Sequence, residues 1–471
     1  MKKVCGELEN NEIWQGEIYL TGTVVVPEKI TLKILPGTWV FFRPMDSCNL
    51  IVKGNLEASG EPDKEIIFGN KYWIGSVVFS GKCQNSFLKG CLLKQSDIAA
   101  IICENETIPE ISGNELTKNN IGIRCAGTAR PKIINNKIQK NTKAGIEISS
   151  GAAPEVSGNT IADNLSGIYC YDNGMPVISG NKISKNATGI ACSGASECKI
   201  SENKVFDNNV GISYTENSEV FVKNNEITAN KISGIVICQK SAGEIVENEI
   251  KDNCAGINCD SEAKIEIKNN KIHNNQTGAR VGGSTIVDFR SNEVFSNTGI
   301  GIECAGNSSG EVIGNELKQN NIAFLSKDNT KVSVKNNSIL NNGLGMSLWE
   351  NNPEFEVTDN KISENRSGIE CHSSTKAIIT INKITDNIKG IDCRDMSAPT
   401  ISNNTFKGNK NIAIDCYDFS CPKITGNNIS GSRIGIARIE NSKPALEDNK
   451  FNDNEENIFE FNAEREKNRN V

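Results

Sequence analysis

Apolar residues return along this chain on two scales. Between residues 13 and 42 they alternate with polar ones, as at Ile18, Leu20, Val24, Val26, Leu32, Ile34, Val40 and Phe42. Pro27, Pro36 and Gly37 punctuate the runs. Alternation broken by turn residues predicts short β-strands. Leu50, Val52, Leu56 and Ala58 continue the pattern, followed by Ile66-Ile67-Phe68 and Val77-Val78-Phe79. From Ile111 to Phe459 the alternation settles into a unit of 22 or 23 residues, repeated sixteen times. It reads apolar-x-x-Asn-x-Ile-x-x-Asn-x-x-Gly-Ile-x-Cys, most clearly in Val357, Asn360, Ile362, Asn365, Gly368, Ile369 and Cys371. The positions three before the first Asn, two after it, and one after the Gly are apolar in all sixteen copies. The second Asn fails once, at Ser432, and the Gly holds in thirteen copies.

Each unit offers three short strands with one or two inward residues apiece. Too few residues separate them for crossover helices. The consistent solution is a coil in which each strand pairs in parallel with its equivalent one turn later. The expected fold is therefore an all-β, single-domain parallel β-helix of about 22 residues per turn and about 20 turns, rising ~4.8 Å per turn to a rod on the order of 95 Å. Residues 1–20 are expected to cap one end, 21–110 to form degenerate turns, 111–460 the regular array, and 461–471 a charged tail. The repeated Asn is expected to occupy left-handed bends, which it tolerates, and to stack as an amide ladder. Cys125, Cys170, Cys192, Cys259, Cys304, Cys371, Cys393 and Cys416 share one inward position. Their spacing is that of the turn and not of a metal-ligand pair, so they read as small core fillers.

Composition alters this picture little. The 471 residues are 37% hydrophobic and 6% aromatic, low for a large globular core. Length alone would suggest about three domains, but a repeat that cannot bury its own apolar face builds one array. A net charge of −7 without a basic patch argues against nucleic acid and anionic membranes as partners. No stretch is long and apolar enough for a membrane span. Residues 1–20 lack the apolar core of a signal peptide, so a cytoplasmic location and reduced thiols are expected.

The stretch Asn181 to Cys192 resembles the repeat of the pectin-lyase-like superfamily of right-handed parallel β-helices. It is most similar to the branch that includes the nitrous-oxide-reductase maturation protein NosD and the β-helix of F-box substrate receptors. The segments Val24-Val25-Val26-Pro27, Leu32 to Thr38 and Leu50 to Leu56 resemble that branch's first turns. The resemblance implies a right-handed coil. It leaves activity open, since the superfamily holds polysaccharide lyases, hydrolases, epimerases and non-catalytic binders. The chain shows no His-containing motif like that of the alginate epimerases and no polygalacturonase motif. It also lacks the long loops that catalytic members carry over a groove.

Chemistry must then be sought on outward positions that break the pattern. Between the repeated Ile and Cys, three consecutive turns place Glu370, Asp392 and Asp415. These acids should stack about 4.8 Å apart, an unfavourable arrangement of like charges. The next outward column holds Trp349, His372, Arg394 and Tyr417, with Asp395 and Asp418 just beyond. An enlarged link between Leu348 and Phe355 lies beside Trp349. The functional reading is a glycan site. The aromatic rings would stack on sugars, Arg394 would hold a carboxylate, and Glu370, Asp392 and Asp415 would transfer protons or bind Ca²⁺. Acids one turn apart match the roughly 5 Å of retaining hydrolysis, and Glu370 with Asp415 the longer inverting range, so spacing does not choose. The competing reading is an ordinary surface on which Arg394 and His372 neutralise the acids. Three functions follow in order: a binder of carbohydrate, an acidic polysaccharide included; a polysaccharide hydrolase or lyase using residues 349–418; and a protein-interaction scaffold. No metal site and no cofactor beyond Ca²⁺ is expected. His273 reads as a solvated lone histidine, and Tyr169, Tyr171 and Asp172 as a second small surface patch.

Overall fold

The protein is described by a computed structural model covering residues 1–43, 48–69, 73–81, 83–350 and 355–461, the side chain of Val220 excepted. Every repeat copy folds as three short strands, and the described residues contain no helix. In the clearest copy the strands are Glu356–Thr358, Lys361–Ser363 and Ser367–His372. Each pairs in parallel with its equivalent one turn on, with Val357 opposite Ile379, Ile362 opposite Ile384, and Cys371 opposite Cys393. This is the all-β parallel coil that the spacing predicts.

The chain forms two compact units, residues 1–236 with 240–243 and residues 237–239 with those from 244 onward. In the first unit, Lys2–Glu7 pairs with Glu17–Val26, and Glu12–Trp14 with Thr31–Ile34. The stretch read as an end cap thus contributes strands of its own. Ile111, Leu116 and Ile123 stack on Ile133, Ile138 and Ile146, all fully buried. In the second unit Ile362, Ile369 and Cys371 do the same. The charged tail from 462 onward and the enlarged link at 351–354 lie outside the described residues.

The asparagines are inside. Asn360 donates its backbone N–H and its amide to the Oδ1 of Asn382, at 2.9 and 3.0 Å, and its amide also to the carbonyl of Val334 at 2.9 Å. Asn365 repeats this with Asn387 and the carbonyl of Ile339. In the first unit Asn136 bonds Asn159 and the carbonyl of Ile111 likewise. A buried amide without partners would be destabilising; here the Asn of each of these turns is met by the Asn of the next.

One expectation is corrected. The ladder asparagines are not the left-handed residues; the residue just before each of them is. Asp359 and Glu364 have φ of 55° and 59°, and Ser373 makes the third corner at 53°. The amide must point inward, so the corner falls one residue earlier, where the side chain faces solvent. The glycine has a separate cause: a Cβ on Gly368 would lie 2.5 Å from the carbonyl oxygen of Gly390 on the next turn. The column cysteines are buried free thiols, with Cys371, Cys393 and Cys416 in successive register. Hydrogen bonds with Cys371 and Cys416, together with burial, hold the Cys393 thiol far above its ordinary pKa. That thiol is therefore protonated and inert, as a core filler should be.

Candidate functional site

The candidate residues gather on one face of the second unit, on the strands Leu344–Trp349, Ser367–His372, Lys389–Cys393 and Ile412–Cys416. Strand alternation points Ile369 and Cys371 inward, leaving Glu370 and His372 on the other side. The register stacks Ser347, Glu370, Asp392 and Asp415 in one column and sets Trp349 opposite His372.

The like charges do not stand alone. Lys389 Nζ lies 2.6 Å from Asp415 Oδ2 and 3.4 Å from Asp392 Oδ2. Arg394 Nη2 lies 2.9 Å from Asp392 Oδ2 and 3.4 Å from Glu370 Oε2. His372 Nε2 lies 3.3 Å from Glu370 Oε2. A string therefore runs Asp415, Lys389, Asp392, Arg394, Glu370, His372, with cations between the acids. Lys389 was not among the sequence candidates. Its signal was there: the position before the repeated Gly otherwise holds apolar or hydroxyl residues, with Glu456 the one acid.

Burial changes the roles proposed for the acids. Asp392 and Asp415 are each 2% exposed, so neither faces solvent as its outward position suggested. Burial pushes the Asp392 carboxyl above its ordinary pKa, with Asp415 and Glu370 adding to it and Lys389 and Arg394 opposing. Glu370 behaves oppositely: its bond with His372 leads in holding it below the usual range, against burial and with help from Arg394. Burial opposes the charge of Lys389, yet its bonds to Asp415 and Asp392 keep its pKa above normal. Asp392 Oδ1, Asp415 Oδ1, Arg394 Nε and Ser367 Oγ are buried without a hydrogen-bond partner.

The remaining candidates divide by position. Tyr417 lies beneath the cations, its ring centre 5.4 Å from the Arg394 guanidinium and 5.8 Å from Lys389 Nζ. Arg394, expected to hold a ligand carboxylate, is thus occupied by protein acids on one side and a ring on the other. Asp395 and Asp418 turn back on the chain, accepting the N–H groups of Ser373 and Asp395. Trp349 differs, being 40% exposed. Its ring stacks on His372 and its indole N–H donates to Ser347 Oγ at 2.9 Å.

Beside Trp349 runs a groove of about 570 Å³ that sequence reasoning missed. Ile322, Leu325, Leu344 and Trp349 form its apolar lining, and Lys327, Asp328, Glu350, Glu370 and His372 its polar part. The signal was the leucine at 325, in the same outward column as the acids. Among the described residues no group of three or more His, Cys, Asp or Glu could hold a metal ion.

The secondary candidates are also placed. His273 is not solvated: its ring stacks on Phe295 with centroids 4.5 Å apart, and Nε2 lies 3.4 Å from Glu249. In the first unit Tyr169 and Tyr171 stack at 4.8 Å. Tyr169 pairs in register with Glu147, an acid 1% exposed that is held by Arg124 and Lys143.

No curated protein sequence matches this chain. Similar solved structures include the periplasmic alginate epimerase AlgG, at 17% identity and a TM-score of 0.40, covering 68% of this chain and 76% of that one. They also include the Azotobacter vinelandii mannuronan C-5 epimerase AlgE6 A-module, at 13% identity and 0.25, covering 79% and 89%. Pectate lyase Pel9A aligns at 15% identity and 0.17, covering 64% and 68%. The sequence itself carries the profile described as "Right handed beta helix region" over residues 70–205, 154–278 and 255–406, and the chain belongs to that family.

Proposed function

We propose that the chain is a carbohydrate-binding β-helix, whose contact surface is the groove beside Trp349. The observation that carries this reading is an exposed indole, fixed in place by His372 beneath it and Ser347 beside it, at the edge of an apolar groove with a polar rim. A flat ring of this kind offers area at little entropic cost to the C–H face of a sugar, while rim groups take hydroxyls. The acids support binding over hydrolysis. Two-carboxylate chemistry needs an accessible acid and base, and Asp392 and Asp415 are buried beneath Lys389 and Arg394.

A glycan array followed by calorimetry tests the proposal. Trp349→Ala should lower affinity for the bound glycan at least tenfold, with the unfolding midpoint little changed. An array without hits, or equal affinity in the variant, sinks it. Reducing ends or unsaturated products released from polysaccharide, and lost in Glu370→Gln, would restore the enzyme reading. A stable protein partner with no glycan bound would favour the scaffold.

A further inference from the structure

We infer that the groove selects uncharged or amine-bearing sugars and rejects uronates, an inference that rests on the glycan-binding reading. It follows from where the charges of the site are spent. Each cation of the string and groove already faces a protein acid. Arg394 Nη2 lies on Asp392 and Glu370, and Lys389 Nζ on Asp415 and Asp392. Lys327 Nζ, on the groove wall, lies 2.7 Å from Glu303 Oε1. A uronate carboxylate entering the groove therefore meets no uncommitted cation among the described residues.

The rim has the opposite sign. Asp328 and Glu350 line the groove and are exposed. Asp328 spends one oxygen on the N–H of Gly306, at 3.0 Å, which leaves its charge in place. Both residues hold left-handed corners, with φ of 62° and 51°, which fixes their Cα positions at the groove's edge. A carboxylated sugar would be placed against like charge while losing its hydration. An ammonium or a hydroxyl would find acceptors. The apolar wall of Ile322, Leu325 and Leu344 adds area without charge.

The test compares three oligosaccharides of equal length by calorimetry: glucosamine, N-acetylglucosamine and a uronate. The glucosamine oligomer should bind about tenfold more tightly than the N-acetylated one at low salt, and the gap should close as salt rises. The uronate oligomer should bind at least about tenfold more weakly than the N-acetylated one. The double variant Asp328→Asn, Glu350→Gln should abolish the gap, bringing the glucosamine and N-acetylated oligomers to the same affinity. Uronate binding equal to or tighter than neutral binding overturns the inference while leaving the glycan reading intact. A gap that survives the double variant, or cationic binding that survives Trp349→Ala, also overturns it. No binding of any oligomer, with a blank array, removes both.

Discussion

The indole of Trp349 lies flat on the imidazole of His372, ring centroids 4.0 Å apart and planes 7° from parallel. The two residues face each other on neighbouring strands, and Ser347 takes the indole N–H. A ring held on two sides is ordered before a ligand arrives, which lowers the entropic cost of binding. Ser347→Ala removes one restraint without touching the groove's charge. A neutral hydrogen bond of this kind contributes about 1 kcal/mol, so glycan affinity should fall roughly fivefold by calorimetry. Unchanged affinity would show that the stacking alone sets the ring.

Glu370 and Asp392 are register neighbours with opposite responses to pH. The folded pKa of Glu370 is lowered, chiefly by His372, so its charge stabilises the fold above the unfolded pKa, and that contribution is lost as pH falls through the folded value. The folded pKa of Asp392 is raised by burial, so its charge costs stability above that value, and the cost disappears as pH falls through it towards the unfolded pKa. Glu370→Gln should therefore destabilise at neutral pH and progressively less in acid. Asp392→Asn leaves Lys389 and Arg394 facing two acids, Glu370 and Asp415, and should be neutral or stabilising at neutral pH. Urea midpoints across the carboxylate range check both; parallel curves for the two variants would contradict the assignment.

Lys389 holds two buried acids at once. Lys389→Met leaves Asp392 with Arg394 alone and takes from Asp415 the cation it is paired with, and breaking a buried ion pair typically costs about 3–5 kcal/mol. The part-exposed lysine places the expected loss near the lower end, about 3 kcal/mol. Adding Asp415→Asn should recover a good part of it. A loss below about 1 kcal/mol would mean that water already solvates these acids.

The second ladder is broken at Ser432, whose buried hydroxyl has no partner. Asn409 on the turn before consequently has no amide oxygen to meet, although Ser432 N–H still donates to Asn454 Oδ1 at 3.0 Å. Ser432→Asn should restore the step and stabilise by about 1 kcal/mol. Asn387→Ala, which removes amide bonds to Asn409 and to the carbonyl of Ile362, should cost about 3 kcal/mol. Denaturation in guanidinium measures both, and equal midpoints for Ser432→Asn and the parent would argue that a water already completes the step.

Ile381 sits at a left-handed corner, with φ of 60°, while its side chain is 58% exposed. A β-branched residue is strained there and gains little from packing. Asn occupies the equivalent corner at Asn336 and Asn403, with φ of 52° and 54°. Ile381→Asn should raise stability by about 1 kcal/mol; a lowered midpoint would mean that the isoleucine is covered by something that binds this face.

The coil was legible because its inward residues repeat: Ile362, Ile369 and Cys371 differ little from any other turn's, and sixteen copies leave one geometry. The ladder was legible for the same reason. Corner placement was not, because any residue whose side chain faces solvent serves there, from Gly113 to Lys118 to Glu364. At the site, the pairing of Trp349 with His372 and the column of Glu370, Asp392 and Asp415 followed from counting. The burial of Asp392 and Asp415 did not, because it depends on where Lys389 and Arg394 fold their long side chains. The groove was hidden for another reason: Ile322 and Leu344 are register partners at the position before the Gly, which is often apolar, so Leu325 alone departs from its column.

The Asn ladder has a direction. Each Oδ1 receives from the turn before, and each amide gives to the turn after, as from Asn360 to Asn382 to Asn404. A rung with Asn on both sides is thus interchangeable with its neighbours. Gain or loss of one whole copy by unequal recombination would rejoin donor to acceptor with nothing left over. A partial copy would bring a solvent-facing corner against an amide. The chain can therefore change length in steps of one turn, so homologues of different lengths should differ by whole copies and keep residues 322–417 together as a block.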